Sequence, residues 1–206
     1  MRTQGLFAVF EGIDGSGKSS VCKAISDMMS ADGFKTILTA EPTRDEIGMI
    51  LRDGKIKDIS NETEALLFVA DRAQHTIRIK EWMSSGSVVI CDRYYASTLA
   101  YQAAPLNGNA LDMDWLAVLN DKVIIEPDIT FLMDIRPEEG LKRVGLRGDR
   151  SKFERLEYLG VVRDNYLKIA GKKGFTIIDA ERPAGDIINE VYNILRKKME
   201  EKNAPF

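Results

Sequence analysis

The sequence predicts an α/β fold, in which a five-stranded parallel sheet is flanked by helices on both faces in three layers. Two observations support this prediction. Short apolar runs typical of buried strands alternate with longer segments of helical spacing, and a glycine-rich stretch directly follows the first such run. Because parallel neighbours need crossover connections, the alternation favours a parallel sheet. No repeat, low-complexity tract or linker interrupts the 206 residues, which predicts a single domain over residues 1–206.

The elements are expected in the following order. The first strand, residues 6–11 (LFAVFE), is apolar until its last residue, and a helix follows at residues 19–31. Four further strands are expected at residues 35–40, 87–91, 129–134 and 175–179. Helices are expected at residues 45–52, 62–83, 96–103, 113–123, 155–170 and 184–199, and one more begins after Pro137, since proline is tolerated in a first helical turn.

The sequence also predicts the apolar face of one helix and the positions of two loops. The helix at residues 62–83 has one apolar face, formed by Leu66, Leu67, Ala70, Ala73 and Ile77. The stretches at residues 105–110 and 145–151 are interpreted as loops, and the second is highly charged. A charged surface loop of this kind is suited to movement.

Composition excludes several classes of partner. The net charge of −3 gives no basic field for nucleic acid. Cys22 and Cys91 stand in no Cys/His cluster that would suggest zinc, and both are expected to be buried or bystander thiols. No apolar stretch approaches the roughly 18 residues of a membrane span. We therefore expect a cytoplasmic protein without nucleic-acid or membrane partners.

The glycine-rich stretch GIDGSGKSS matches the phosphate-binding pattern G-x-x-x-x-G-K-[S/T] at Gly12, Gly17, Lys18 and Ser19. Its glycines let successive N–H groups face an anion, and the following helix adds the positive end of its dipole. Lys18 is expected to reach the transferable phosphate, and the Ser19 hydroxyl to ligate Mg²⁺. The expected ATP contacts of this loop are Gly12, Ile13, Asp14, Gly15, Ser16, Gly17, Lys18, Ser19 and Ser20.

A nucleotide loop leaves two classes open, a regulatory NTPase that binds partners and a kinase that phosphorylates a small acceptor. A guanine-reading switch should show N-K-x-D late in the chain, and Asn120-Asp121-Lys122 fails that order. The segment ICDRYYASTLAYQ, residues 90–102, is more informative. Asp92 ends a buried strand at the crevice of the sheet, where a carboxylate can hold Mg²⁺, and Arg93 could bind a phosphate. A structural ion pair would explain Asp92-Arg93 equally well.

Several segments, in order, resemble thymidylate kinases. D-R-Y-x-x-S-T-x-A-Y-Q from Asp92 is similar to the family signature, as are LLFVADRAQ (66–74), PDITFLMDIRPEEGLKR (127–143), Glu41-Pro42 and IDA (178–180). The resemblance spans nearly the whole chain. It implies a P-loop fold of the nucleoside monophosphate kinase type, ATP and dTMP as substrates, dTDP and ADP as products, Mg²⁺ as cofactor, and a homodimer.

The resemblance also implies roles for residues of the acceptor site. Phe68 would stack on thymine, Arg72 would donate to the thymine O4 atom, and Tyr101 would fill the space beside the deoxyribose C2′. Arg93 would bind the dTMP phosphate, and Asp14 would meet the 3′-hydroxyl. Ala40 stands where bacterial members often have a phosphate-binding arginine. The remaining acceptor-site residues that we expect are Arg44, Arg52, Ser97, Thr98 and Gln102, of which Arg44 or Arg52 would replace the missing arginine.

The family supplies one further cation, either from the P-loop or from a mobile lid. Gly15 occupies the P-loop position where the first type has arginine, so the resemblance implies a lid at about residues 145–155. Its candidate cations are Arg147, Arg150 and Lys152, and Arg143 would pack against adenine. We expect Arg147 and Arg150 to act together with Lys18 and Arg93 in catalysis.

Other interpretations of these residues remain open at the level of sequence. Without the resemblance, Phe68 would be assigned to the core, Arg72 to a surface pair with Asp71 or Glu64, and Tyr101 to the half-buried aromatics. His75 is interpreted as structural. The alternative functions are another P-loop nucleotide or nucleoside kinase, acting on dUMP or thymidine, and a non-kinase NTPase module. Acceptor-dependent ATP consumption distinguishes a kinase from such a module.

Overall fold

The fold is a five-stranded, all-parallel sheet in the order β2-β3-β1-β4-β5, seen in a computed structural model. The structure describes residues 4–53, 58–105, 109–145 and 150–203, with side chains of the last range from residue 155 onward. The strands are β1 (Leu6–Glu11), β2 (Thr36–Ala40), β3 (Val88–Asp92), β4 (Ile129–Asp134) and β5 (Thr176–Asp179). The predicted α/β fold, with its five parallel strands, is therefore confirmed.

Eight helices occur in the described ranges. They are α1 (Lys18–Ala31), α2 (Glu46–Asp53), α3 (Asn61–Ser84), α4 (Tyr95–Gln102), α5 (Met113–Asp121), α6 (Pro137–Val144), α7 (Arg150–Lys173) and α8 (Ala184–Asn203). α1 packs against α8, whereas α4 packs against α3, α5 and α7, so helices form two layers around the sheet. None of these helices is both long and apolar enough to cross a bilayer.

Helix α7 begins five residues earlier than the sequence predicted. The charged run at its start was interpreted as loop over residues 145–151, yet residues 150 and 151 are helical, and residues 146–149 lie outside the described part of the chain. Arginine, lysine and glutamate are good helix formers, so a charged run of this kind continues a helix readily. The expected lid segment, residues 145–155, therefore includes the first turn of α7.

The core lies on both sides of β1, whose six residues are all buried. Phe10 of β1 stacks on Phe131 of β4 with ring centroids 5.0 Å apart, and neither ring is exposed. Cys22 and Cys91 are also buried, as expected, and burial raises the pKa of both thiols well above the usual value.

The long helix α3 presents its apolar face outward. Leu66 and Ile77 keep 47% and 51% of their surface exposed. The inward face instead carries several polar side chains, namely Asp71, Arg72, His75 and Thr76. Buried polar groups are stable only with hydrogen-bond partners, and these four have them. The periodicity of α3 thus marks a surface rather than the core.

Replacing Phe131 with alanine should lower the free energy of unfolding by about 3–5 kcal/mol, because the ring is fully buried and leaves a cavity. Urea denaturation followed by circular dichroism measures the change. Ile177→Ala is the control, since Ile177 lies on β5 with half its surface exposed and should cost about 1 kcal/mol or less. Equal losses in the two variants would contradict the placement of the core.

Candidate active site

The glycine-rich loop connects β1 directly to α1. Gly17 precedes the first helical residue with φ +86°, and Gly15 has φ +83°, a backbone region that favours glycine. A Cβ atom on Gly15 would lie 2.1 Å from the carbonyl oxygen of Gly140 in α6. Close packing therefore explains why a glycine occupies position 15, because no side chain fits between this loop and α6.

Lys18 lies inside the loop with 5% of its surface exposed. Its Nζ atom donates to the Ile13 carbonyl oxygen at 2.8 Å and to Ser16 Oγ at 3.2 Å. Desolvation by burial, followed by the nearby positive charge of Arg93, lowers the pKa of Lys18 to about 7. An anion bound in the loop would reverse this effect, since negative charge favours the protonated amine.

Ser19 and Asp92 form an oxygen pair suited to Mg²⁺. Ser19 Oγ donates to Asp92 Oδ2 at 2.5 Å, while the buried Asp92 Oδ1 has no hydrogen-bond partner among the described residues. Mg²⁺ prefers oxygen ligands and is commonly held by one or two protein groups together with substrate phosphates and water. These two side chains fit that role. No cluster of three or more acidic, histidine or cysteine ligands occurs in the described ranges.

A cavity of about 310 Å³ opens beside the loop at the start of α4. It contains most of the residues expected at the acceptor site, which are Phe68, Arg72, Arg93, Ser97, Thr98, Tyr101 and Gln102. The cavity walls also include residues that the sequence analysis did not single out for it, namely Glu41, Pro42, Glu64, Tyr94 and Tyr158. The structure therefore brings α3 and α4 together around one pocket and adds α7 to its wall.

Arg72 is held at the base of this cavity in a buried network, with 1% of its surface exposed. Its guanidinium donates to Glu41 Oε2 at 2.8 Å and to Asn120 Oδ1 at 2.5 Å, and its NH2 group donates to Thr98 Oγ1 at 3.1 Å. It is therefore not the surface cation that one interpretation of the sequence allowed. The same Glu41 contacts His75 Nδ1 at 2.9 Å, so the single histidine belongs to this network.

Arg93 bridges the glycine-rich loop and the cavity. Its NH2 group donates to Asp14 Oδ1 at 2.5 Å, and its NH1 group donates to the Gly12 carbonyl oxygen and to Ser97 Oγ, both at 3.2 Å. The guanidinium also lies 5.1 Å from the centre of the Tyr101 ring. Arg93 itself has φ +73°, a strained conformation for a residue other than glycine, and such strain is concentrated at functional sites.

Thr98 and Gln102, expected at the polar edge of the base, stand on α4 one turn apart. Thr98 accepts from Arg72, as described above, and Gln102 Nε2 donates to Glu64 Oε2 at 3.3 Å. Because both side chains face the cavity, this part of α4 can read polar groups of a planar ligand.

Arg44 and Arg52 line a different, neighbouring cavity of about 570 Å³, which also contacts Ser19 and Asp92. Arg52 Nε donates to the carbonyl oxygens of Pro42 at 2.7 Å and Thr43 at 3.0 Å. The side chain of Arg52 thus holds the backbone that precedes α2. Arg44 is exposed, so both arginines expected to replace the one absent at Ala40 lie beside this second cavity rather than in the first.

Most of the expected lid cations lie where the structure describes no side chains. Arg147 lies outside the described residues, and Arg150 is described only as the first residue of α7. Lys152 is likewise known only by its place in the helix. Arg143, at the end of α6, donates from NH1 to the Ala180 carbonyl oxygen at 2.9 Å, which places it beside the segment that follows β5.

Sequence analysis missed Glu11, Tyr158 and Tyr166. Glu11 is fully buried and accepts hydrogen bonds from α4, and Tyr158 donates to the Tyr101 carbonyl oxygen at 3.1 Å. A carboxylate at the end of a wholly apolar strand was a signal that could have identified Glu11. The two tyrosines gave no such signal, because their contacts come from tertiary packing of α7.

Comparisons with known proteins show which family this chain resembles. A family model described as thymidylate kinase matches residues 10–191. A probable thymidylate kinase of Pyrococcus horikoshii is 38% identical over 206 residues, which cover 95% of this chain and 98% of the relative. Relatives with the same description occur in Methanosarcina barkeri (41% identical; 91% and 94% covered) and Thermococcus kodakarensis (38%; 96% and 100%).

A phosphate loop that shares an arginine with a neighbouring acceptor cavity defines a P-loop phosphotransferase of the kind that acts on small nucleotides. Within that class the matches cover nearly the whole chain. The chain belongs to the thymidylate kinase family.

ATP binding should be coupled to uptake of a proton by Lys18. In the free site its pKa is about 7, because burial and then the charge of Arg93 oppose protonation, whereas the carboxylates of Asp92, Asp14 and Glu11 favour it. Bound phosphates raise that pKa, so above pH 7 binding must take up a proton, and affinity must fall as pH rises.

Titration calorimetry at pH 8, in buffers of different ionisation enthalpy, measures this uptake. We expect close to one proton per ATP for the wild type and almost none for Lys18→Arg, because arginine stays charged. Equal uptake by the two proteins would show that another group binds the proton.

Proposed function

We propose that the protein transfers the terminal phosphoryl group of ATP to dTMP and produces dTDP and ADP. The contact between Arg93 and Asp14 carries the proposal, since it joins the acceptor cavity to the phosphate loop within 2.5 Å. A nucleoside monophosphate in the cavity would thus present its phosphate next to the end of the ATP chain. Membership of the thymidylate kinase family supports dTMP as that nucleotide.

The donor side is served by the loop and α1. Backbone N–H groups of the loop and the start of α1 would bind the phosphates, and Lys18 would neutralise charge on the transferred group. Ser19 and Asp92 would hold Mg²⁺, which when bound neutralises phosphate charge and orients the ATP chain. Arg143 would pack against adenine, near the Ala180 segment to which it donates.

The acceptor side would be read by groups of different character. Phe68 supplies a ring face for thymine, Arg72 a donor for O4, and Tyr101 bulk beside C2′ that disfavours a ribose. Arg93 would bind the dTMP phosphate and release Asp14 to accept from the 3′-hydroxyl. Ser97, Thr98, Gln102, Arg44 and Arg52 complete the proposed set.

We propose a source for the last transition-state cation and the closure of a lid, because of the family resemblance and the glycine at position 15. Because no side chain fits at Gly15, the remaining transition-state cation must come from elsewhere, and we assign it to Arg147 and Arg150 in a lid at residues 145–155. Closure of that lid would exclude water from the reacting phosphates. The lid would be part of a single catalytic domain over residues 1–206.

We propose a homodimer because two neighbouring helices expose apolar side chains. Leu66 and Ile77 of α3 and Val118 of α5 keep 47%, 51% and 66% of their surface exposed, and α3 packs against α5. Exposed apolar patches of this kind mark interaction sites. We further propose a cytoplasmic location, where ATP and dTMP are available, and no nucleic-acid partner, in keeping with the net charge of −3.

Incubation with ATP, Mg²⁺ and a panel of acceptors should give the fastest ADP release with dTMP. The panel contains dTMP, dUMP, ribothymidine monophosphate, dCMP, dAMP and thymidine, and coupled spectrophotometry measures ADP. Ribothymidine monophosphate should turn over at least about tenfold more slowly, because a steric clash of roughly 1.4 kcal/mol already has that effect.

The same panel distinguishes the alternatives. Faster turnover with dUMP or thymidine would identify that compound, rather than dTMP, as the substrate. Slow hydrolysis at a rate independent of every acceptor would identify a non-kinase NTPase. Lys18→Ala is the negative control in each case.

Ile77→Glu should convert the proposed dimer into a monomer, since the charge would be buried at the interface without a partner. Sedimentation velocity measures the mass. Ile177→Glu is a matched control, because Ile177 has the same 51% exposure but lies on β5, away from α3. A monomeric wild type, or identical behaviour of the two variants, would contradict the assigned interface.

A further inference from the structure

Glu11, the last residue of β1, has no exposed surface and is surrounded by hydrogen-bond donors. Its Oε1 atom accepts from the backbone N–H groups of Tyr94 at 2.9 Å and Ser97 at 3.2 Å. Its Oε2 atom accepts from Ser97 Oγ at 2.6 Å and from the Tyr166 hydroxyl at 3.1 Å. A carboxylate with four donors and no contact with solvent is fixed in position.

The first consequence concerns the start of α4. Tyr94 is the N-cap of this helix and provides no side-chain cap, and its own backbone N–H group and that of Ser97 in the first turn both donate to Glu11 at the end of β1. Negative charge is favoured at a helix N-terminus. Glu11 therefore determines where α4 begins, and Arg93, with its positive φ, immediately precedes that point.

The second consequence concerns the Arg93 side chain. Its NH1 group contacts Ser97 Oγ at 3.2 Å and the Tyr166 hydroxyl at 3.4 Å, and these are the two hydroxyls that contact Glu11 Oε2. Because Ser97 directs its proton to the carboxylate, its lone pairs face the guanidinium. The Tyr166 hydroxyl, 2.7 Å from Ser97 Oγ, donates its single proton to the same Glu11 Oε2 atom. A glutamine at position 11 would present an amide donor to these hydroxyls and disturb that order.

We propose that Glu11 and Tyr166 are positioning residues that act through Ser97 and orient the Arg93 guanidinium toward the phosphate of the acceptor. The proposal rests on the proposed function, in which Arg93 binds that phosphate. Neither residue needs to contact the substrate. Tyr166 lies on α7, the helix whose first turn belongs to the proposed lid, and its hydroxyl contacts Arg93, which precedes α4.

The test compares an acceptor that has a phosphate with one that lacks it. KM for dTMP, KM for ATP and the inhibition constant of thymidine are measured for the wild type, Tyr166→Phe and Glu11→Gln. We expect KM for dTMP to rise about 3- to 10-fold in Tyr166→Phe and about 10- to 100-fold in Glu11→Gln, the range for losing a neutral or a charged hydrogen bond. KM for ATP and thymidine inhibition should change less than about twofold.

Tyr95→Phe is the matched control. Tyr95 and Tyr166 are both buried, with 4% and 1% of their surface exposed, but the Tyr95 hydroxyl has no hydrogen-bond partner among the described residues, so removing it should leave all three constants unchanged. Thermal unfolding of each variant records any loss of stability. If Glu11→Gln fails to fold, Tyr166→Phe decides the question, since phenylalanine fills nearly the same volume.

A double-mutant cycle identifies the residue through which Tyr166 acts. If it acts through Arg93, Tyr166→Phe should have no further effect on KM for dTMP in an Arg93→Ala background. Additive effects, or equal weakening of dTMP and thymidine, would overturn the positioning role. A wild type that does not phosphorylate dTMP would instead overturn the proposed function, so the two failures are distinguishable.

Discussion

The parallel pairing of β1 with β3 is the constraint on which the site depends. In this register Phe10 lies opposite Asp92, so both strands end at the same edge of the sheet. The sheet order reverses at β1, with β3 on one side and β4 on the other, and ligands of open α/β sheets bind at such a switch point. The phosphate loop and Arg93 are therefore neighbours by topology, although 81 residues separate Gly12 from Arg93 along the chain.

Local chemistry explains what could be predicted from the sequence. Each strand is a short apolar run with distinct neighbours, so the sequence was sufficient to predict β1 and β4 to the residue. The phosphate loop could also be predicted from the sequence, because this glycine spacing followed by a Lys-Ser pair indicates phosphate binding. The acceptor side depended instead on a resemblance. Phe68 or Tyr101 taken alone would have been assigned to the core or to the half-buried aromatics.

Nonlocal chemistry explains what could not be predicted. The inward face of α3 is polar because Arg72 and His75 both bind Glu41, which lies some 30 residues earlier in the sequence. A prediction from periodicity assumes that apolar residues face inward. In α3 this polar network faces inward instead, and the predicted apolar face is exposed. Tyr166 shows the same limit, since its 155-residue separation from Glu11 leaves no trace in the sequence.

Three cations of the site, the buried Arg72 and Lys18 and the partly exposed Arg93, differ in how their charge is compensated, and that difference is consistent with the roles proposed for them. Arg72 is paired with the buried Glu41 and cannot leave it without exposing an unpaired charge, so it is suited to a neutral carbonyl group. Arg93 is paired with Asp14, whose side chain is half exposed, so a phosphate can replace that partner at little cost. Among the described residues Lys18 donates only to neutral oxygens, which leaves its charge the least compensated of the three and its site receptive to an anion such as the phosphates proposed to bind there.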